Sequence, residues 1–174
     1  LAGLDEPSEG AVIVDNQAIE GPSLDRAVIF QSHALLPWLN VIDNTEFGLK
    51  LQGIPEAARH KVADRFIDLL GLKDFRTAPV YKLSGGMQQR VAIARGIASQ
   101  SELLLLDEPL AAVDAQTRAD MQDLLLDLAK RFNQTCVLVT HDVEEAIYMA
   151  DRVLVLGPRP TRVVREVVVD LPKP

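Results

Sequence analysis

Two short motifs in this chain combine residue types that bind phosphate with residue types that activate water. Ser84, Gly85 and Gly86 come directly before an amphipathic helical pattern. Ser84 is a natural N-cap there, and the two glycines let backbone N–H groups approach an anion at the positive end of the helix. The pattern indicates a phosphate site, and a glycine-rich turn that only caps the helix is the structural alternative.

The second motif is a carboxylate pair, Asp107 and Glu108, which follows the four leucines of residues 103–106. A run of this kind predicts a buried strand, and ligands of open α/β sheets collect at the carboxyl ends of strands. Successive residues point to opposite sides, so the two acids can have different roles. Asp107 is expected to hold Mg²⁺ through its water shell, and Glu108 to orient or deprotonate a water. Two solvated acids in a loop are the alternative.

Gln31 and His141 also follow apolar strand patterns, and we expect both at the same edge of the sheet. The carbonyl oxygen of Gln31 can bind Mg²⁺, while its NH₂ group can bind the attacking water. The alternative for His141 is that it is a loop histidine without a chemical role. Asp142 and Glu145 have the spacing of a helix capping box.

The segment that follows Gln31 is apolar for a loop, because residues 35–39 read LLPWL and contain the only tryptophan, Trp38. An exposed apolar patch indicates contact with a partner, whereas a buried aromatic anchor is the alternative. His33 and His60 lack a chemical setting and are expected at the surface. Cys136 lies in an apolar run and is expected to be a buried structural thiol, which fits a reducing compartment.

Short β-branched runs alternate with longer helical patterns, which predicts an α/β domain with a largely parallel sheet flanked by helices. Between residues of about 41 and 83 two helical patterns follow each other without a strand. Together with the next helix, the segment of about 41–99 is expected to form a helical subdomain inserted in a single domain, 1–174. The predicted strands are residues 11–14, 26–30, 102–106, 135–139, 152–156 and, at an edge, 162–169.

Three helical patterns carry apolar stripes that we expect in the core. The stripes consist of Val62, Phe66, Leu69 and Leu70; of Met87, Val91, Ala94 and Ala98; and of Met121, Leu124, Leu125, Leu128 and Phe132.

Composition excludes several classes of protein. A net charge of −7 disfavours a nucleic-acid partner, and no apolar run of about 18 residues could span a bilayer. The sequence G-x-x-x-x-G-K-[ST] of a phosphate loop does not occur in the chain. Residues 48–53 have its glycine spacing, but the Lys and Ser/Thr that should follow are absent. The chain begins at Leu1 without a methionine, and we expect it to be an interior piece of a longer protein.

Together the motifs closely resemble those of the ATP-binding cassette (ABC) family in order and spacing. The resemblance covers the whole chain and implies a P-loop NTPase fold, with the first strands and the phosphate loop, or Walker A motif, upstream of Leu1. Met87 replaces the glutamine of the most common signature. The motifs are FQ at residues 30–31, LSGGMQQR at 83–90, LLDEP at 105–109, AVD at 112–114 and THD at 140–142.

The resemblance implies ATP and Mg²⁺ as ligands and a role for each motif residue. Glu108 would be the catalytic carboxylate, Asp107 the Walker B aspartate that holds Mg²⁺, and His141 the switch histidine. Gln31 would be the Q-loop glutamine, which takes part in catalysis and binds the metal.

The remaining motif residues would serve the nucleotide across a dimer interface. Ser84, Gly85, Gly86 and Gln88 would belong to the signature that closes on the ATP of a second ATPase subunit, identical or different, and Asp114 to the D-loop.

Residues 21–26, 36–39 and 157–160 are similar to the bacterial branch that imports nitrate, sulfonate, taurine or related anions. This branch implies a peripheral protein at the cytoplasmic face of the bacterial inner membrane. Integral permease subunits would dock near residues 31–41, and a periplasmic binding protein would act indirectly. Without its phosphate loop and central strand, the chain alone is expected to be a poor ATPase that aggregates. A degenerate, non-catalytic cassette and a non-transport cassette ATPase are the alternatives.

Overall fold

The computed structural model describes residues 1–111 and 113–172, and its first regular element is a short hairpin. Strand β1 (Ile13–Val14) pairs antiparallel with β2 (Gln17–Ala18). The two turn residues, Asp15 and Asn16, have φ values of 50° and 62°. Asp and Asn tolerate this left-handed region, which a two-residue hairpin turn requires. The predicted single strand 11–14 is therefore shorter than expected and has a partner that the sequence analysis missed.

A three-stranded parallel sheet forms the centre of the fold and confirms the predicted α/β class. Its strands lie in the order β3 (Arg26–Ile29), β4 (Leu103–Asp107) and β5 (Thr135–Val139). The four leucines of β4 are buried, as expected for a strand with neighbours on both edges and cover on both faces. In register, Ile29 lies beside Leu106, and Asp107 lies beside Val139, so all three strands end at one edge.

The segment between β3 and β4 is helical. It contains α1 (Val41–Thr45), α2 (Phe47–Leu51), α3 (Glu56–Leu69) and α4 (Gly85–Ala98), with 3₁₀ turns at Lys73–Phe75 and Val80–Lys82. Three α-helices thus precede α4 where two patterns were predicted, because the first pattern is divided at Glu46, which ends α1 and precedes α2. That this helical segment forms a subdomain separate from the rest of the chain stays a prediction.

Helix α5 (Ala115–Phe132) precedes β5, and α6 (Val143–Met149) follows it. Most of the predicted stripe residues lie in the core, where Val91, Ala94 and Met121 are fully buried. Leu69 is the exception, since it is 36% exposed at the end of α3.

The last two strands, β6 (Arg152–Leu156) and β7 (Val163–Val168), form an antiparallel ribbon separate from the parallel sheet. Residues 152–156 were expected to belong to the main sheet, so this part of the prediction is wrong. Consequently β5 lies at an edge of the sheet, and Cys136 is exposed rather than buried. Throughout the described part of the chain, helices are too short or too polar to cross a membrane.

Candidate functional site

Glu108 is the centre of a cluster of polar side chains at the carboxyl edge of the sheet. Its Oε2 accepts a hydrogen bond of 3.1 Å from Nε2 of Gln31, which follows β3. Its Oε1 lies 3.1 Å from Nδ1 of His141, which follows β5. We call Gln31, Glu108 and His141 the carboxylate cluster. The three residues come from the ends of three neighbouring strands, as the sequence predicted for their position.

The contact between Glu108 and His141 fixes the proton arrangement of the imidazole. An ionised carboxylate can only accept, so the ring must carry a hydrogen on Nδ1. In the neutral ring Nε2 is then an acceptor, and protonation converts it to a donor. The side chain of His141 is 76% exposed and that of Glu108 is 29% exposed. The ring is therefore accessible to a ligand, while the carboxylate is largely enclosed.

Asp107 is the last residue of β4 and is exposed at the same edge of the sheet. Carboxylate and amide oxygens are the protein ligands that Mg²⁺ prefers, and Mg²⁺ takes only one or two carboxylates in sites completed by phosphate and water. Asp107 and the amide oxygen of Gln31 fit such a donor set. In residues 1–111 and 113–172, three or more acidic, His or Cys side chains never group as an all-protein metal site would require.

A cavity of about 60 Å³ adjoins the carboxylate cluster between the strand ends and the helices α5 and α6. Its lining includes Glu108, His141, Arg118 and Glu145. Asp142 Oδ1 accepts from the backbone N–H groups of residues 144 and 145, at 2.9 and 3.2 Å, and so caps α6. In a capping box the Glu145 side chain would accept a hydrogen bond from the Asp142 N–H. Here the Asp142 N–H donates to Thr140 Oγ1 instead. The side chain of Glu145 is buried and its Oε1 has no hydrogen-bond partner.

Helix α4 begins as the sequence predicted. Ser84 is its N-cap, with Oγ accepting from the Met87 N–H at 3.3 Å. A Cβ added at Gly85 would meet no other atom within 4 Å, so α4 faces open space at this residue. Gln88 donates from Nε2 to the carbonyl oxygen of Leu83 at 3.1 Å. Within the described residues, hydrogen bonds and ion pairs do not join this helix start to the carboxylate cluster.

The start of α5 lies beside the start of α4, since a Cβ added at Gly86 would lie 3.5 Å from Thr117 Cγ2. Asp114 is the N-cap of α5, and its Oδ1 accepts from the Thr117 N–H at 3.1 Å. Hydrogen bonds from Thr117 hold the pKa of the Asp114 carboxyl below its usual value. Two helix N-termini therefore lie next to each other, which favours a bound anion. Ala112, which belongs to the AVD motif, lies outside the described residues.

Two arginines near the cluster escaped the sequence analysis. Arg118 donates to the carbonyl oxygen of Val113 at 3.1 Å and lies 3.8 Å from Asp142. Arg95 donates to the carbonyl oxygens of His33 and Ala34, in the turn that follows Gln31. For Arg95 the sequence contains one signal: it is a charged residue among the otherwise small and apolar residues 91–98, and a charged side chain in such surroundings needs a specific partner.

Both remaining histidines are accessible at the surface, as expected, but each is partly covered. His33 is half-buried, and burial lowers the pKa of its imidazole. His60 is also half-buried, with Nε2 at 3.2 Å from the buried carboxylate of Glu46. Trp38 is 76% exposed and is therefore not a buried anchor. It is exposed together with Pro37, whereas the three leucines of residues 35–39 are partly buried.

The parallel sheet and the carboxylate cluster define an α/β domain with a candidate site at the carboxyl edge of its sheet. The family model described as ABC transporter matches residues 1–111, and the chain belongs to this family. Among solved structures it is similar to the dimeric, post-hydrolysis state of the ATP-binding cassette MJ0796 bound to ADP and Pi, with 31% identity and a TM-score of 0.82. That match covers 95% of this chain and 76% of the other.

Three curated relatives are similar along nearly the whole chain. An uncharacterized ABC transporter ATP-binding protein of Methanocaldococcus jannaschii is 49% identical over 100% of this chain and 65% of its own length. The nitrate import ATP-binding protein NrtD of Synechocystis is 46% identical over 99% of this chain and 65% of its own. The taurine import ATP-binding protein TauB of Burkholderia pseudomallei is 48% identical, with coverages of 94% and 63%. The chain thus spans slightly less than two thirds of these relatives.

Proposed function

We propose that the protein with this chain is the ATP-binding and ATP-hydrolysing subunit of a bacterial ABC importer for nitrate, sulfonate, taurine or a related small anion. The observation that carries the proposal is the carboxylate cluster, in which Gln31 and His141 bind different oxygens of Glu108. A carboxylate held from both sides at a strand end suits the task of orienting a water for attack on a phosphate.

In this mechanism Glu108 accepts a hydrogen bond from the attacking water and takes its proton. His141 keeps the carboxylate oriented by donating from Nδ1, and in the protonated ring its Nε2–H donates to the terminal phosphate. Gln31 provides the second restraint on Glu108, and its amide oxygen joins Asp107 in holding Mg²⁺. Mg²⁺ held by these two oxygens would supply positive charge next to the phosphates.

The proposed assembly is a dimer, homo- or heteromeric, in which each ATP contacts both subunits. Ser84, Gly85, Gly86, Gln88 and Asp114 bind the nucleotide held by the partner subunit. Two features support this assignment: α4 faces open space at Gly85, and the N-termini of α4 and α5 lie together. Both supply backbone donors and a positive dipole end for phosphate.

The proposed membrane partners are integral permease subunits that dock near residues 31–41. In support, Trp38 is 76% exposed in an apolar loop that begins four residues after Gln31. Because this loop follows Gln31 closely in sequence, it offers a route by which docking affects hydrolysis. This places the protein at the cytoplasmic face of the inner membrane in our proposal, with a periplasmic binding protein as an indirect partner. Relatives named for nitrate and taurine import support the solute class.

The test of the hydrolytic role is Glu108→Gln in a longer protein in which a phosphate loop precedes this chain. Glutamine keeps the size of the side chain but has no basic oxygen, so the rate of ATP hydrolysis should fall by about 10²–10⁴-fold. The Kd for ATP, measured by isothermal titration calorimetry, should change little. The matched control is Glu144→Gln, which alters an exposed glutamate of α6 and should leave turnover intact. Unchanged turnover in Glu108→Gln would sink the proposal.

A further inference from the structure

The turn that carries Gln31 out of β3 has an unfavourable backbone. His33 and Ala34 have φ values of 61° and 45°, in the left-handed region that residues other than glycine seldom adopt. Two short backbone bonds close the turn, from the His33 N–H to the Phe30 carbonyl at 3.0 Å and from the Ala34 N–H to the Ser32 carbonyl at 2.7 Å. Two successive residues of this kind persist only where the surroundings hold them.

The surrounding group is the guanidinium of Arg95, which lies on α4, far away in sequence. Nη1 donates to the Ala34 carbonyl at 2.8 Å and Nη2 to the His33 carbonyl at 3.2 Å. The planar fork of an arginine suits two adjacent acceptors, and bonds from a charged donor are stronger than neutral ones. Arg95 is half-buried, and burial lowers the pKa of its guanidinium. A charge removed from water in this way needs both carbonyls as partners.

Helix α4 is also pressed against the strand that leads into the turn. A Cβ added at Gly96 would lie 3.1 Å from Cγ1 of Ile29, the last residue of β3. The residue next to Arg95 is therefore in close contact with the chain two residues before Gln31. These contacts, at Ile29 and at the bound carbonyls, restrain the backbone on both sides of Gln31.

We propose that Arg95 is a positioning residue for Gln31: by binding the His33 and Ala34 carbonyls it holds the turn in its left-handed form and keeps the amide of Gln31 against Glu108. The consequence for hydrolysis rests on the proposed function, whereas the consequence for the turn does not. Arg95 itself has no contact with the carboxylate cluster among the described hydrogen bonds and ion pairs.

The structural test uses hydrogen–deuterium exchange of residues 31–36 in the longer protein in which a phosphate loop precedes this chain. Arg95→Met keeps the apolar stem but removes every donor, so exchange in this segment should rise several-fold. Arg95→Lys keeps the charge with a single donor group, and the increase should be smaller. The control is Arg76→Met, which breaks an ion pair with Asp64 in the helical region and should leave residues 31–36 unchanged. Exchange that stays at the wild-type rate in Arg95→Met overturns the proposal.

The catalytic test uses the longer protein with a phosphate loop. Arg95→Met should lower kcat for ATP hydrolysis about tenfold with KM for ATP nearly unchanged, because misplaced catalytic groups reduce the rate of the chemical step. In a Gln31→Ala background the same substitution should have almost no further effect, since Arg95 acts through Gln31. If the losses in kcat from Arg95→Met and Gln31→Ala instead multiplied in the double variant, Arg95 would not act through Gln31. If exchange rises while Glu108→Gln retains full turnover, the hydrolytic role of Glu108 fails and the positioning of Gln31 stands.

Discussion

Glu108 has a backbone conformation that the sequence gives no reason to expect. Its φ is 43°, in the left-handed region, which costs about 1–2 kcal/mol for a residue with a Cβ. Bonds on both sides hold it there, from its own N–H to the Val139 carbonyl at 2.9 Å and from the Ala111 N–H to its carbonyl at 3.2 Å. The turn aims the side chain back at the sheet edge, where Gln31 and His141 meet it. The hydrogen bond to Val139 of β5 therefore helps to hold Glu108, the proposed catalytic residue, in this strained conformation.

Asp114 gives a prediction about acid. Hydrogen bonds from Thr117 lower its pKa in the folded state, so its contribution to the free energy of unfolding is present above the unfolded value near 3.8 and is lost as pH falls through the folded pKa. Asp114→Asn keeps a cap acceptor without a charge. Wild type should therefore be more stable than the variant at neutral pH, and the difference should begin to shrink below pH 3.8 and be lost as pH falls through the lower pKa of the folded state.

Urea denaturation of both proteins between pH 7 and pH 3 measures this difference, and comparing the two cancels the titration of other acids. A difference that stays constant down to the lowest pH would show that the charge of Asp114 does not stabilise α5.

Individual site residues were predictable where their position follows from strand order alone. Gln31, Glu108 and His141 each come after an apolar strand, and the carboxyl ends of parallel strands meet at one edge. The contribution of Arg95 was not predictable, because its two acceptors are carbonyl oxygens in a turn about 60 residues away, and backbone acceptors have no sequence signature.

At the scale of elements, apolar spacing predicted the core faces of the helices but not their breaks. Val91 and Ala94 are fully buried, as the spacing on α4 required. The break between α1 and α2 at Glu46 depends instead on tertiary contacts, since this buried carboxylate accepts a hydrogen bond from Arg59 and lies 3.2 Å from Nε2 of His60, both on α3. A pattern of apolar residues carries no information about such a polar bridge.

The contact between α3 and α5 gives a prediction about packing. Phe66 of α3 is 2% exposed, and its ring centroid lies 5.2 Å from that of Phe132 at the end of α5. Phe66→Ala should reduce the free energy of unfolding by about 3–5 kcal/mol, because it removes a buried ring and leaves a cavity. The control, Phe75→Ala, changes a ring that is 42% exposed and should cost much less. Equal losses in guanidinium denaturation would mean that the Phe66 site collapses without a cavity.

For the molecule as a whole, the number of parallel strands is the feature that sequence patterns described least well. β-Branched runs identify strands but do not say which edge they join, and residues 152–156 pair with β7 instead of the parallel sheet. The result is an exposed apolar surface on the ribbon, where Leu156 is 61% and Val168 73% exposed. β5 likewise has a neighbour only on the β4 side within the described chain.

An edge strand presents unpaired N–H and C=O groups that can pair with another molecule. We therefore expect the isolated chain to self-associate through β5, and a lysine on this strand should oppose that pairing. Thr135→Lys introduces it at an exposed position that is the first residue of β5. Sedimentation velocity at increasing protein concentration should show less association for this variant than for wild type.

Net charge is the competing explanation, because the chain carries −7 and any added lysine changes its colloidal behaviour. Gln116→Lys separates the two effects, since it adds the same charge at an exposed position on α5, away from the sheet edge. If association runs through β5, only Thr135→Lys should reduce it, because Gln116→Lys leaves the backbone groups of β5 as accessible as before. Equal reductions by both variants would show that the association depends on net charge and involves the exposed ribbon, and that it does not run through β5.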